Sequence, residues 1–270
     1  MKNLAHRLCA SLLLLASSGL SAHVPFLKPN QFQVEHPRLH IESAFTELPF
    51  QADFAMDSPN FVMVGPDGKR TPLTATARTP AAVYLEPRLA GEGSYRISTG
   101  VRKGPNYHAV ETAGGKLYFA DDMARHRGQP ARMQYFSRAD AHISQGEANY
   151  APRPFNEGIE IIPLSAPTAL TLGDSLRLRV LHDGKPVAHA RIVIAEDNEH
   201  YRHHRIEDLY DVENIRASNL HADTNGEFTL KPTRAGLIYL LTTSHKKTGP
   251  GLWESHNAAL TLEVRLPKPE

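Results

Sequence analysis

The chain has 270 residues, a formal net charge of +1, 15 histidines, 7% aromatic residues and a single cysteine. A near-neutral chain without basic clusters gives no basis for nucleic acid or an anionic membrane surface as a partner. The length suits two domains of ordinary size.

Residues 1–22 read as a signal peptide. Lys2 and Arg7 supply a positive start, Leu8 to Ala16 a short apolar run, and Ser17 to Ala22 a small-residue cleavage region ending at Ala22. The run is too short for a permanent bilayer span, and no later stretch is long enough. The expected location is therefore periplasmic or secreted, without membrane insertion after cleavage. Cys9 lies inside this leader, so the exported chain carries no thiol for disulfides or thiolate metal ligands.

Cleavage would expose His23 at a new amino terminus. A histidine there offers a metal two nitrogens, the α-amine and the ring, and a divalent metal can displace the amine proton near neutral pH. Pro25 and Pro29 keep the segment extended. Further on, Leu39 and Ile41 alternate with Arg38, His40 and Glu42 as in a half-buried strand, which leaves His36 and His40 solvated. Phe61 to Val64, Ala82 to Leu85, Ser94 to Thr99 and Leu117 to Ala120 read as short strands. Turns at Gly65-Pro66-Asp67-Gly68 and Gly91-Glu92-Gly93 separate them. Asp121 to Ser144 is the best helical segment, from the spacing of Met123, Met133, Phe136 and Ile143, broken into at most two pieces by Gly128 and Pro130. His126 and His142 are then polar helix positions. Gln145 to Glu157 is polar, carries two prolines and reads as a domain linker.

From Gly158 the pattern is strongly β. Leu176, Leu178 and Val180 alternate with Arg177 and Arg179, Asp183-Gly184 turns the chain, and Ala190, Ile192 and Ile194 return inward. Asp223-Thr224-Asn225-Gly226 precedes Phe228 and Leu230, and Leu237 to Thr243 and Ala259 to Leu266 close the region. About six strands in roughly 110 residues describe an antiparallel sandwich. The whole chain is thus expected to be all-β, with two tandem antiparallel β-sandwich domains at 23–150 and 158–270, the second transthyretin- or immunoglobulin-like, and at most short helices. Residues 196–221 form an insert rich in acids and histidines. His200, His203 and His204 stand at i,i+3 and i,i+4 spacing and would share one helical face, a site suited to nickel, cobalt, copper or zinc. A long solvated loop is the plainer reading of the same segment. His245 ends an apolar strand, and His256 lies just before the last one.

The runs EIIPL, LTLGDSLRLRVL, DGKPVAHARIVI, TNGEF and the closing AALTLEVR resemble the DUF4198 family. The resemblance implies a secreted bacterial protein linked to nickel and cobalt uptake, with a C-terminal sandwich like transthyretin or carboxypeptidase regulatory domains. It also implies a histidine soon after the leader, matched by His23. At His245 and at Trp253-Glu254-Ser255 the sequence is similar to the family, whereas the position of His256 more often holds an aromatic there.

Three functions compete on these grounds. The first is a periplasmic transition-metal-binding accessory protein, assisting nickel or cobalt uptake and handing its ion to a membrane metal transporter, with His23, His245 and His256 as ligands. The second is a non-catalytic interaction module that binds a protein or a glycan through its loops. The third, a copper oxygenase with an amino-terminal histidine brace, needs a flat aromatic substrate face, and a chain with one tryptophan gives no sign of it. No carboxylate pair or nucleophile–histidine–acid set stands out, so a non-enzyme is expected.

Overall fold

The computed structural model describes residues 23–36, 38–48, 50–197, 199 and 219–267. Their fold is all-β. The strands are β1 (Val24–Pro29), β2 (Ile41–Thr46), β3 (Phe54–Ala55), β4 (Val62–Val64), β5 (Arg70–Pro72), β6 (Ala75–Arg78), β7 (Val83–Leu85), β8 (Gly93–Ser98), β9 (Arg102–Glu111), β10 (Leu117–Phe119) and β11 (Gln129–Gln145). They continue as β12 (Ile159–Pro163), β13 (Leu176–His182), β14 (Lys185–Pro186), β15 (Arg191–Glu196), β16 (Leu220–His221), β17 (Glu227–Leu230), β18 (Gly236–Gly249) and β19 (Leu252–Val264). Among the described residues two 3-10 turns form, Ala120–Arg125 and Pro167–Ala169.

Three sheets form. The first runs β1-β2-β7-β6 with β3 on β2. The second has ten strands in the order β16-β15-β18-β19-β11-β8-β4-β5, with β9 and β10 joined through β11. The third runs β12-β13-β14 with β17 on β13. Strand pairing is antiparallel except between β11 and β19, which run parallel from Arg132↔Leu252 to Ala141↔Thr261. That pairing joins the N-terminal and C-terminal halves into one continuous middle sheet.

The middle sheet is covered on both faces. One face packs on the first sheet, burying Tyr95, Ile97, Met133, Tyr135, Ala139, Tyr239, Leu241 and Ala259 with Phe26 and Ile41. The other face packs on the third sheet, burying Ile192, Leu240, Leu260 and Leu262 with Ile161, Leu178 and Val180. The sandwich expectation therefore holds, in a form where two sandwiches share their middle layer. Strands buried on both faces read as continuous apolar runs rather than alternation. Val193 and Ala195, one position off the expected inward set, are accordingly buried as well.

The expected helix over 121–144 is corrected: after the short 3-10 turn it is the 17-residue strand β11. Ala131, Met133, Tyr135, Ala139, Ala141 and Ile143 face the first sheet at a period of two. The alternate residues Arg138, Asp140 and His142 are buried too, so no polar stripe marked the period. His142 is consequently a buried strand residue and not a polar helix position.

The stretch read as a linker, Gln145 to Glu157, begins at the last residue of β11, and with Gly158 its remainder (146–158) is strapped onto this polar face. Glu160, fully buried, accepts the backbone N–H groups of Phe155 (3.0 Å) and Asn156 (2.8 Å). Arg96 Nη2 donates to Asp140 Oδ2 at 2.8 Å and to Glu160 Oε2 at 2.9 Å. Arg138 Nη1 donates to the carbonyl of Glu157 at 2.6 Å. The Phe155 ring has the guanidinium carbons of Arg96, Arg70 and Arg138 at 4.3, 4.7 and 5.0 Å. Two cations and two anions buried together balance one another's charge, which is the condition under which such charges are tolerated in an interior.

Candidate metal centre

His23 stands immediately before β1. The β1–β2 register pairs Val24 with Thr46, so the residue before one strand lies beside the residue after the other, Glu47. His23 Nε2 is 3.4 Å from Glu47 Oε1 and 3.7 Å from Asp53 Oδ2. The loop from 47 to 53 is folded back by its own bonds: Asp53 Oδ2 accepts the N–H of Glu47 at 2.8 Å, and Asp53 N–H donates to the Phe45 carbonyl at 3.0 Å. Phe50 in this loop has φ of 61° and is buried edge-on between Phe26 and Tyr239. A bulky residue at positive φ is held only where its surroundings overdetermine it, so the loop that carries Glu47 and Asp53 is anchored at its middle. Phe54, 57% exposed, sits edge-on to the His23 ring at 4.8 Å. Tyr135 Oη donates to the His23 carbonyl at 3.2 Å.

His245 lies on β18 opposite Ser255, on the face that holds Tyr239 and Leu241. It is half-buried there, and this loss of solvent, aided by nearby His256, pushes its pKa down to about 4. The ring is therefore neutral at pH 7.

His256 lies one position along β19 from Ser255, so its side chain points to the opposite face. It stacks on Phe136 at 4.8 Å and 7°, its Nε2 is 3.1 Å from Glu254 Oε2, and its ring centroid is 4.6 Å from that of His182 at the end of β13. Burial first, and His256 second, lower the His182 pKa. His23 and His245 thus belong to the side of the first sheet, whereas His256 faces the third. The middle sheet separates His256 from the other two. His200, His203 and His204 lie outside the described residues. His36 and His40 are exposed as expected.

Among the described residues, no group of three or more His, Cys, Asp or Glu side chains is arranged to hold a metal ion. The donor chemistry around His23 nonetheless suits one: an imidazole nitrogen, a borderline donor appropriate to nickel, cobalt or zinc, beside two harder carboxylate oxygens that supply negative charge. The closing donor would be the α-amine created by cleavage before His23, which lies on the same residue. Glu47 and Asp53 escaped the sequence reading because their nearness to His23 is set by the β1–β2 pairing and by the fold-back of Asp53 onto Phe45 and Glu47, although the two strands at 24–29 and 41–46 would have placed Glu47 once paired. His182 escaped because nothing local links it to His256, 74 residues on.

The chain is similar to several solved structures at low identity. It aligns with the D0-D1 domain of intimin at 10% identity over 88% of this chain and 97% of that one, with a TM-score of 0.22. It aligns with the BSP domain of a biofilm associated protein at 11% identity over 90% of this chain and 30% of that one, with a TM-score of 0.21. It aligns with a DUF3823 family protein from Bacteroides uniformis at 12% identity over 91% of this chain and 100% of that one, with a TM-score of 0.23. Superpositions at this level carry no argument about function. No curated relative matches the chain. The family described as a domain of unknown function, DUF4198, matches residues 20–247. Because that match spans most of the sequence, this protein belongs to the DUF4198 family.

Proposed function

We propose that this protein is an exported, non-catalytic β-sandwich that binds a divalent transition-metal ion, nickel or cobalt, at a site centred on His23, and delivers it to a membrane metal transporter. The observation that carries the reading is the placement of Glu47 and Asp53 within 3.7 Å of His23 Nε2 by an anchored loop. Cleavage before His23 would add the α-amine to the ring nitrogen on a single residue, a chelate that needs no further folding. The two carboxylates supply negative charge to offset the ion, and Phe54 and the Tyr135 hydrogen bond fix the ring and the backbone beside it. His245 is the second imidazole on this side of the middle sheet and keeps its lone pair free of a proton well below neutrality. His256, across the sheet, has no part in this site.

The test is calorimetry with nickel, cobalt and copper on two forms of the exported chain, one starting at His23 and one carrying an additional Met ahead of it. The native start should bind all three metals, copper tightest by the Irving–Williams order, and affinity should fall in mild acid as protons compete for the donors. The extended form should bind at least tenfold more weakly, and Asp53→Asn should weaken the native form as well. Equal binding by both forms removes His23 from the site. No binding at micromolar metal replaces this reading with that of an interaction module for a protein or glycan.

A further inference from the structure

The strap at 146–158 covers a polar pair that the ion-pair network does not use. In the β11–β8 register His142 lies opposite Arg96 and Ser144 opposite Ser94, so His142 and Ser94 are diagonal neighbours on one face. His142 Nε2 and Ser94 Oγ are both shut off from solvent and have no hydrogen-bond partner. Both line one small pocket, which Asn149, Tyr150 and Arg153 of the strap also border. The cavity offers about 20 Å³ to the centre of a water-sized sphere. About 10–15 Å³ is needed for one water, and such a water requires at least two polar partners.

We infer that a single buried water bridges His142 Nε2 and Ser94 Oγ and helps bind the strap to the middle sheet. The surrounding chemistry selects a neutral occupant. Burial, with Arg96 adding to it, holds the His142 pKa at about 3, so the ring is uncharged at pH 7. The guanidinium groups of Arg96 and Arg153 border the space and disfavour a cation. Asp140 and Glu160, the buried anions nearby, are already bonded to Arg96. Two buried polar atoms left unpaired would be costly, whereas one water satisfies both, and it does so where Tyr150 packs edge-on against the His142 ring at 5.6 Å. Tyr150 itself is fixed by donating its hydroxyl to the Pro163 carbonyl at 2.7 Å.

The experiment uses the full exported chain. A high-resolution crystal structure should show one ordered water within hydrogen-bond distance, about 2.7–3.2 Å, of both His142 Nε2 and Ser94 Oγ. In solution, oxygen-17 relaxation dispersion should count one fewer long-lived water in Ser94→Val, whose added methyl groups occupy the space, than in the wild type. A dry cavity in the crystal, or equal counts in the two proteins, overturns the inference. Should Ser94→Val fail to fold, the wild-type crystal structure alone decides: a water touching both atoms supports the inference, and none overturns it.

Discussion

Replacing Glu160 with Gln tests whether the strap and the middle sheet form one unit. Glu160 is fully buried and its carboxylate does three jobs: it neutralises Arg96 at 2.9 Å, sits 3.5 Å from Arg138, and accepts two backbone N–H groups from the strap. Glutamine keeps the shape but removes the charge, leaving two buried guanidinium groups with Asp140 as the remaining anion between them. One of its terminal atoms becomes an N–H₂ group facing backbone donors, so at least one strap N–H loses its acceptor. Removing one partner of a buried ion pair typically costs about 3–5 kcal/mol, and the lost backbone bond falls within that range of effects. For a chain of this size each kcal/mol lowers the melting temperature by about 2–4 °C, so a drop on the order of 10 °C is expected. Urea unfolding followed by circular dichroism gives the free energy, and amide hydrogen exchange over 150–158 reports whether the strap loosens first. Glu86→Gln, at an exposed position, is the control and should stay within about 0.5 kcal/mol of wild type. A loss below about 1 kcal/mol for Glu160→Gln, with strap exchange unchanged, would refute the idea that this carboxylate locks the strap.

Acid should destabilise the fold through its buried histidines. His142 and His245 have folded-state pKa values pushed from 6.5 to about 3 and about 4 by burial, so only the unfolded chain takes up their protons between pH 6.5 and 4. Stability should be unaffected by these two groups above pH 6.5 and fall as pH drops toward 4, together on the order of 5 kcal/mol, measurable as urea midpoints at pH 7, 6, 5 and 4; a flat profile would contradict their burial. Gly184→Ala should lower stability by about 1–2 kcal/mol, because Gly184 has φ of 76° in the β13–β14 turn and an added Cβ would come 2.9 Å from Asn156 Oδ1; a neutral result by thermal melting would show that the turn relaxes. Chymotrypsin should cleave slowly after Phe155 despite its place in a proline-bearing polar stretch, since its N–H donates to Glu160 Oε2 at 3.0 Å and its ring lies 4.3 Å from the Arg96 guanidinium carbon; early appearance of fragments ending there in mass spectra would mean that the strap is open in solution.

The sequence alone determined what depends on neighbours along the chain. The β class, the alternation of Leu176, Leu178 and Val180, and the Asp183-Gly184 turn were all legible, and both turn residues do adopt positive φ. These features follow from a period of two and from which residues tolerate left-handed backbone. DUF4198 membership was legible for the same reason, since its matching runs are turns and strands. What the tertiary structure decided were features that need a partner from far along the chain. Segment 129–145 looked helical because its intervening residues are not plainly polar surface positions: Arg138, Asp140 and His142 are buried under the strap and against Glu160, so neither face faces water and the period is masked. The strap looked like a linker because its prolines and polar residues also suit an exposed coil, while its fixation depends on Glu160 and on arginines as distant as Arg70 and Arg96. The residues of the proposed metal site show the same limit. His23 could be picked out from its position after the expected leader, but Glu47 and Asp53 join it only through the way the strands pair and the loop folds, and His256 parts from His245 because successive residues on β19 point to opposite faces of a sheet that is buried on both.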